Sequence, residues 1–335
     1  MRGQLWSRRP CHKDTPREKT FIGPVRKDAM ILGIDVGATW TRVVLSKESG
    51  EFVQREKFRT TADPVSSALQ VAKNWDFDAV GVGSIGPLDL KAGKVVGSAN
   101  APASVFSLVD PLEKLGKPYY VANDGVAAAW GEYVYRWNSV KNLVYITFST
   151  GIGAGAIVNG QLLLGKDGNA HEIGYLVVDL SSGFQCCGGI GYWEGLASGG
   201  HMVDAFNYMT AKWGLSPKKK PVQAADVFSM AEAGDEAAIR FLNYWLDVNA
   251  AGITDICVAY DPEVIVIGGS VALNHWQFLY DGIFQRLTGH LRVREPRIEK
   301  ASFGDDEVSM GAIAIVYKPP ETLKDFGYPR KGPRT

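Results

Sequence analysis

The chain has 335 residues, 46% of them hydrophobic and 21% charged, with Lys+Arg and Asp+Glu balanced at 36 each. That is a soluble globular chain long enough for about two domains, which excludes a single-module peptide, a fibrous rod, and an overall electrostatic grip on nucleic acid or an anionic membrane. Four cysteines are too few for a disulfide framework, and no apolar stretch has the length of a membrane span or an export signal, so a cytoplasmic, reducing location is expected.

Residues 1–29 carry eight Lys/Arg, three Asp/Glu and three prolines without helical or strand period; they are read as a disordered basic extension, or as sequence ahead of a start at Met30. Strands are expected at 30–35, 41–45, 52–58, 79–83, 118–122, 143–148, 154–158 and 263–267. Helices are expected at 64–75, 125–136, 193–212, 223–233, 235–259, 275–288 and 309–317, so the class is α/β. The segment 318–335 reads as a loose, Pro-rich tail. Strand, Gly-rich turn, strand occurs twice, at 32–45 and 143–158, which implies two similar halves. So short a link makes each strand pair antiparallel neighbours. The expected domains are a small one, 30–122 plus 309–317, and a large one, 123–308.

The two turns, Asp35-Val-Gly-Ala-Thr39 and Ser149-Thr-Gly-Ile-Gly153, put glycines and hydroxyls at hairpin tips. Gly37, Gly151 and Gly153 leave main-chain N–H groups open to phosphate oxygens, and Thr39 and Thr150 add hydroxyl donors. Asp35 beside a polyphosphate suits hydrated Mg²⁺, which keeps its waters and takes few carboxylates. A plain tight hairpin is the simpler reading of either turn alone, but not of two in matching halves. Gly81, Gly83 and Gly86 spell GxGxxG, and Gly151, Gly153 and Ala156 spell GxGxxA. Neither is followed by the helix that a dinucleotide fingerprint requires. A third glycine site, Gly268-Gly269-Ser270, ends an expected strand, where a base or ribose could lie against bare backbone; a strand-to-helix turn accounts for it equally well.

Asn123-Asp124 lies between an expected strand and helix. Asp124 could be only that helix's N-cap, worth about 1 kcal/mol. Facing a cleft beside two phosphate loops, its carboxylate could accept a substrate hydroxyl's proton as that oxygen attacks a γ-phosphoryl group.

These residues resemble the ROK family of sugar kinases: DVGAT at 35–39, GPLD at 86–89, SANAP at 98–102, ANDG at 122–125, STGIGAG at 149–155, HEIGY at 171–175, CGGIGYWEGLASG at 187–199 and IGGSV at 267–271. The resemblance implies a two-domain actin-like ATPase (ribonuclease H-like) fold with a cleft between the domains, and ATP with Mg²⁺ as cofactors. It implies Asp124 as the base, sugar contacts at Gly86, Asn100, Asn123, Glu172 and Glu194, and a homodimer. The expected activity is phosphorylation of glucose or a broader range of hexoses at the 6-hydroxyl. N-acetylmannosamine, N-acetylglucosamine, allose or fructose are the alternative acceptors. ROK transcription regulators carry an N-terminal helix-turn-helix, for which residues 1–29 are too short and Pro-interrupted. Many members bind structural zinc through C-x-C-G-x-x-G-C-x-E and a histidine. Here those positions read Gln185, Cys187, Tyr192 and Tyr175, so no structural zinc is expected. Cys186, with His171 or His201, is the alternative source of ligands.

Overall fold

The computed structural model describes residues 28–98, 101–289, 291–328 and 330; the extension 1–27 and Asn100 lie outside them. Ten strands form two five-stranded sheets. The first contains β1 (Ile31–Val36), β2 (Trp40–Ser46), β3 (Phe52–Arg59), β4 (Ala79–Ser84) and β5 (Tyr119–Asn123), in the order β3-β2-β1-β4-β5. The second contains β6 (Leu143–Phe148), β7 (Ile152–Val158), β8 (Gln161–Leu162), β9 (Val264–Gly268) and β10 (Arg297–Lys300), in the order β8-β7-β6-β9-β10. The orders are the same. In both sheets the first hairpin is antiparallel and the last two strands join in parallel, as the repeated strand-turn-strand pattern implies. This is the two-domain actin-like architecture.

Each sheet is covered on both faces, so its central strands read as continuous apolar runs. In the second sheet the period of two divides the strands between two cores. Leu143, Tyr145, Val264 and Val266 join the core beneath the first sheet. Val144, Ile146, Phe148, Ile265 and Ile267 face Trp193, Phe241 and Trp245 on the opposite side. The helix Glu236–Tyr260 spans that second core, capped by the Asp235 carboxylate on Ala238 N–H.

Two crossings join the sheets. Helix Asp124–Tyr135 leads from β5 to β6, and the chain returns from β10 into helix Glu307–Tyr317, which packs on β4 and β1. The two helices touch backbone to backbone: a Cβ on Gly131 would lie 2.8 Å from Gly311 N. Gly81 and Gly83, which imitated a dinucleotide fingerprint, lie within β4 and give the returning helix room against the sheet.

Several elements differ from their sequence-based bounds. The expected helix 193–212 is two, Trp193–Ala197 and Met202–Lys212, broken at Gly199-Gly200. The expected helix 275–288 follows a separate turn, Ser270–Asn274. The segment from Lys318 is not loose over its described part. It forms the 3₁₀ helix Glu321–Phe326, buries Leu323 and Tyr328, and pairs Arg330 with Tyr119. Its prolines suggested a tail, but Leu323, Phe326 and Tyr328 supply an apolar face that the first core takes up.

Gly269 has φ +88°, and a Cβ there would run into the Phe148 backbone. Gly269→Ala therefore imposes both a left-handed strain and a main-chain clash. It is expected to cost about 2–4 kcal/mol, read as a lowered midpoint in urea unfolding.

Candidate active site

Asp124 is not the cap of its helix. The Asn123 side chain caps it, Oδ1 accepting from Gly125 N at 3.0 Å and Val126 N at 3.4 Å. Asp124 is the first helical residue and accepts from Gly125 N at 2.7 Å. The helix start can lie this deep because Gly125 rests on β7: a Cβ there would be 2.5 Å from Ala154 O. Burial, followed by the nearby charges of Glu172 and Asp35, raises the Asp124 carboxyl to about 7, against the N–H bond from Gly125 that lowers it.

Gly86, Asn123 and Glu172 converge. A Cβ on Gly86 would be 2.7 Å from Glu172 Oε1 and 3.2 Å from Asn123 Nδ2. The Asn123 amide nitrogen thus stays on the Gly86 side while its oxygen caps the helix. Glu172 sits ahead of the 3₁₀ turn Ile173–Tyr175 and makes no capping bond. Burial and then Glu194 raise its carboxyl to about 7. Glu194 opens the helix Trp193–Ala197, and its Oε2 accepts from Ile152 N at 2.9 Å. A Cβ on Gly151 would be 2.6 Å from that same oxygen. Glu194 therefore links Glu172 to the second hairpin tip.

At the first tip, Gly37 N bonds Trp40 O at 3.0 Å, and Thr60 Oγ1 donates to Gly37 O at 2.7 Å; Thr39 is exposed. Asp35, at the end of β1, is buried and bonded to Arg42 at 2.9 Å. Burial raises its carboxyl to about 6 despite Arg42. The second tip is pinned from the far side: Gly199 N donates to Ser149 O at 2.7 Å, and Gly200 N to Thr150 O at 3.0 Å. Sequence reading gave Gly199 and Gly200 no role; the signal was a Gly-Gly pair interrupting an otherwise helical stretch. Gly268, Gly269 and Ser270 end β9 and open the next turn. Gly153 is less constrained, since a Cβ would meet only Thr147 at 3.6 Å.

The segments around Leu88 and Asn169 are fastened to each other. Asn169 accepts from Leu88 N at 2.7 Å and donates to Leu88 O at 2.6 Å, and Leu90 N donates to Asp167 O at 3.0 Å.

The ROK family model matches residues 31–318. The chain belongs to the ROK family. It is 52% identical over 303 residues to a glucokinase of Pyrobaculum calidifontis, covering 90% of this chain and all of the relative. It is 40% identical over 321 residues to a glucokinase of Aeropyrum pernix, covering 89% of this chain and all of the relative. Among solved structures, a ROK glucokinase from Streptomyces griseus in complex with glucose and AMPPNP superposes with a TM-score of 0.70 at 27% identity, over 85% of this chain and 98% of that one. The ROK hexokinase of Thermus thermophilus gives 0.69 at 27%, over 85% and 97%.

The zinc segment of this ROK chain is built differently from the family motif. Tyr175 and Tyr192, at two ligand positions, are in edge-to-face contact with ring centroids 5.6 Å apart. Cys187 Sγ lies 3.0 Å from Cys186 Sγ and 3.4 Å from His201 Nε2, and these three donors fall within 4.8 Å of one another. His171 is bonded elsewhere, to Leu163 O at 2.7 Å. Three donors, two of them adjacent in sequence, do not close the four-ligand set of a structural zinc. Among the described residues no helix is long and apolar enough to cross a membrane.

Proposed function

We propose that this ROK protein is an ATP-dependent glucokinase that phosphorylates glucose at its 6-hydroxyl, with Asp124 as the base. The observation that carries this reading is the convergence of Gly86, Asn123, Asp124, Glu172 and Glu194 on one cleft between two glycine hairpin tips. The glucokinase relatives at 52% and 40% identity supply the sugar.

The chemistry needs few groups. Mg²⁺–ATP supplies the γ-phosphoryl group, and its charge would be met by the first tip (Asp35, Gly37, Thr39), the second tip (Thr150, Gly151, Gly153) and the turn Gly268-Gly269-Ser270. At the first tip Gly37 N–H is already bonded to Trp40 O at 3.0 Å, so the donor there that fits a phosphate oxygen is the exposed Thr39 hydroxyl. Asp35 is the carboxylate placed to hold the ion's water shell, and Arg42 is the cation it already pairs with. Glu172 and Glu194 accept from paired sugar hydroxyls, and Asn123 Nδ2 and the Gly86 backbone complete the sugar side; Asn100 is assigned here from the family motif. Asp124 takes the proton from the attacking hydroxyl, a step worth roughly 10²- to 10⁴-fold. Most of the remaining acceleration comes from alignment and from neutralisation of the phosphates. We further propose that the protein acts as a homodimer.

A base must be ionised to work. With the Asp124 carboxyl raised to about 7, kcat/KM should rise tenfold per pH unit below that value and level off between about pH 7 and 8. A pH–rate profile measured with saturating Mg²⁺–ATP checks this; activity that is flat from pH 5 to 8 would remove the raised carboxyl from the mechanism. The substrate assignment is tested by coupled assays over glucose, mannose, fructose, N-acetylmannosamine, N-acetylglucosamine and allose. Glucose should give the highest kcat/KM.

A further inference from the structure

The two crossings between the sheets meet at a pair of buried glutamates with no part in the chemistry above. Glu132 lies two turns below Asp124 on the same helix, and Glu307 is the first residue of the returning helix; both are buried. Glu132 receives Ser302 N at Oε1, and Ser302 Oγ at Oε2 at 2.9 Å. Glu307 Oε1 receives Phe303 N at 2.6 Å. Ser302 and Phe303 continue from β10, where Ala301 N still pairs with Ile267 O of β9 at 2.9 Å. A helix that begins in the first half is thus bonded to a segment that leaves the second half. Glu307 Oε2 is buried and receives no donor, and the Glu132 charge acts on the Glu307 carboxyl. A buried carboxylate oxygen without a donor is costly, which favours the protonated form of the group.

We propose that Glu132, buried with Glu307 where the two crossings meet, is a positioning residue for Asp124: its bonds to Ser302 fasten the base-bearing helix to the returning crossing and fix where the base stands in the cleft. This rests on Asp124 being the base of a sugar kinase. Arg136, the C-cap of Glu132's own helix, is a cation whose charge favours Glu132 ionised. Tyr145 of β6 faces both glutamates as a buried phenol. Phe303 N–H and Gly304 N–H favour ionised Glu307, and burial and Glu132 oppose it, which leaves the Glu307 carboxyl at about 8. The neighbouring Asp306 is turned to Arg55 at 3.4 Å. Below that pH the Glu307 carboxyl is neutral; above it, its charge opposes that of Glu132 between the crossings. The sign follows from the raised value: stability from this group is full at low pH and falls as pH rises through about 8.

The test is sugar phosphorylation by the full chain from pH 6 to 10, with both KM values, for Glu132→Ala, Glu132→Gln, Glu307→Gln and Ser302→Ala. Glu132→Ala should lower kcat about 10- to 100-fold and leave the KM for ATP within twofold. Glu132→Gln, which still accepts from Ser302 N, should recover most of that loss. Wild-type kcat should decline above pH 8, and Glu307→Gln, neutral at every pH, should not. If Glu132→Ala fails to fold, the Glu307→Gln profile and a threefold or greater drop in kcat for Ser302→Ala carry the test. Wild-type kcat in Glu132→Ala, or the same alkaline decline in Glu307→Gln, overturns the proposal. Failure of the underlying kinase reading shows separately, as full turnover in Asp124→Ala.

Discussion

Asp124→Ala is expected to reduce kcat by about 10²- to 10⁴-fold while the chain still binds glucose. The sugar side of the cleft does not depend on Asp124: Asn123 caps the helix and keeps its amide nitrogen toward Gly86, and Glu172 and Glu194 come from other segments. Asp124→Asn is the closer control, because its amide oxygen can still accept the Gly125 N–H that Asp124 receives at 2.7 Å. It should lose nearly as much turnover, since an amide cannot take a proton from a hydroxyl. Glucose titration by calorimetry alongside steady-state rates separates the two effects. Either variant working within tenfold of wild type would sink the assignment of the base.

The second large effect is expected at Glu194. Its carboxylate accepts from Ile152 N at the second hairpin tip and lies in the field that raises Glu172. Glu194→Ala removes the sugar acceptor proposed above and leaves a part-buried N–H without its partner, each a loss of about 1–3 kcal/mol. The KM for glucose should rise about 10- to 100-fold, and because the tip itself loosens, the KM for ATP should rise too. Glu172→Ala, whose carboxylate touches no hairpin tip, should move the sugar KM alone. Equal effects of the two substitutions on the ATP KM would break the proposed link between Glu194 and the phosphate side.

Much of this was legible in residue order. The repeated strand-turn-strand pattern implied two like halves, and the DVGAT, ANDG, STGIGAG and IGGSV segments each fall at the end of a strand. Local sequence was weaker where one residue type serves two purposes. Asn and Asp are both good caps, so only the backbone register shows that Asn123 caps the helix and thereby frees Asp124. Glycines in β4 spelled a nucleotide fingerprint, yet they are small because a helix crosses them. Glu132 and Glu307 drew no reading from the sequence, since nothing local says that residues 175 apart will be buried together. His201 and Cys187 are likewise close only after the chain folds. Prolines near the C-terminus outweighed the spacing of Leu323, Phe326 and Tyr328, a pattern too short to register as a helix.

The grip of Asn169 on both main-chain groups of Leu88 joins segments 81 residues apart in the chain. One amide side chain stands in for a missing β-partner, and with the Leu90–Asp167 bond it forms a catch. At roughly 0.5–1.5 kcal/mol net per bond, the catch steadies the stretch that follows Gly86, so a residue outside the proposed sugar contacts helps to fix where one of them stands.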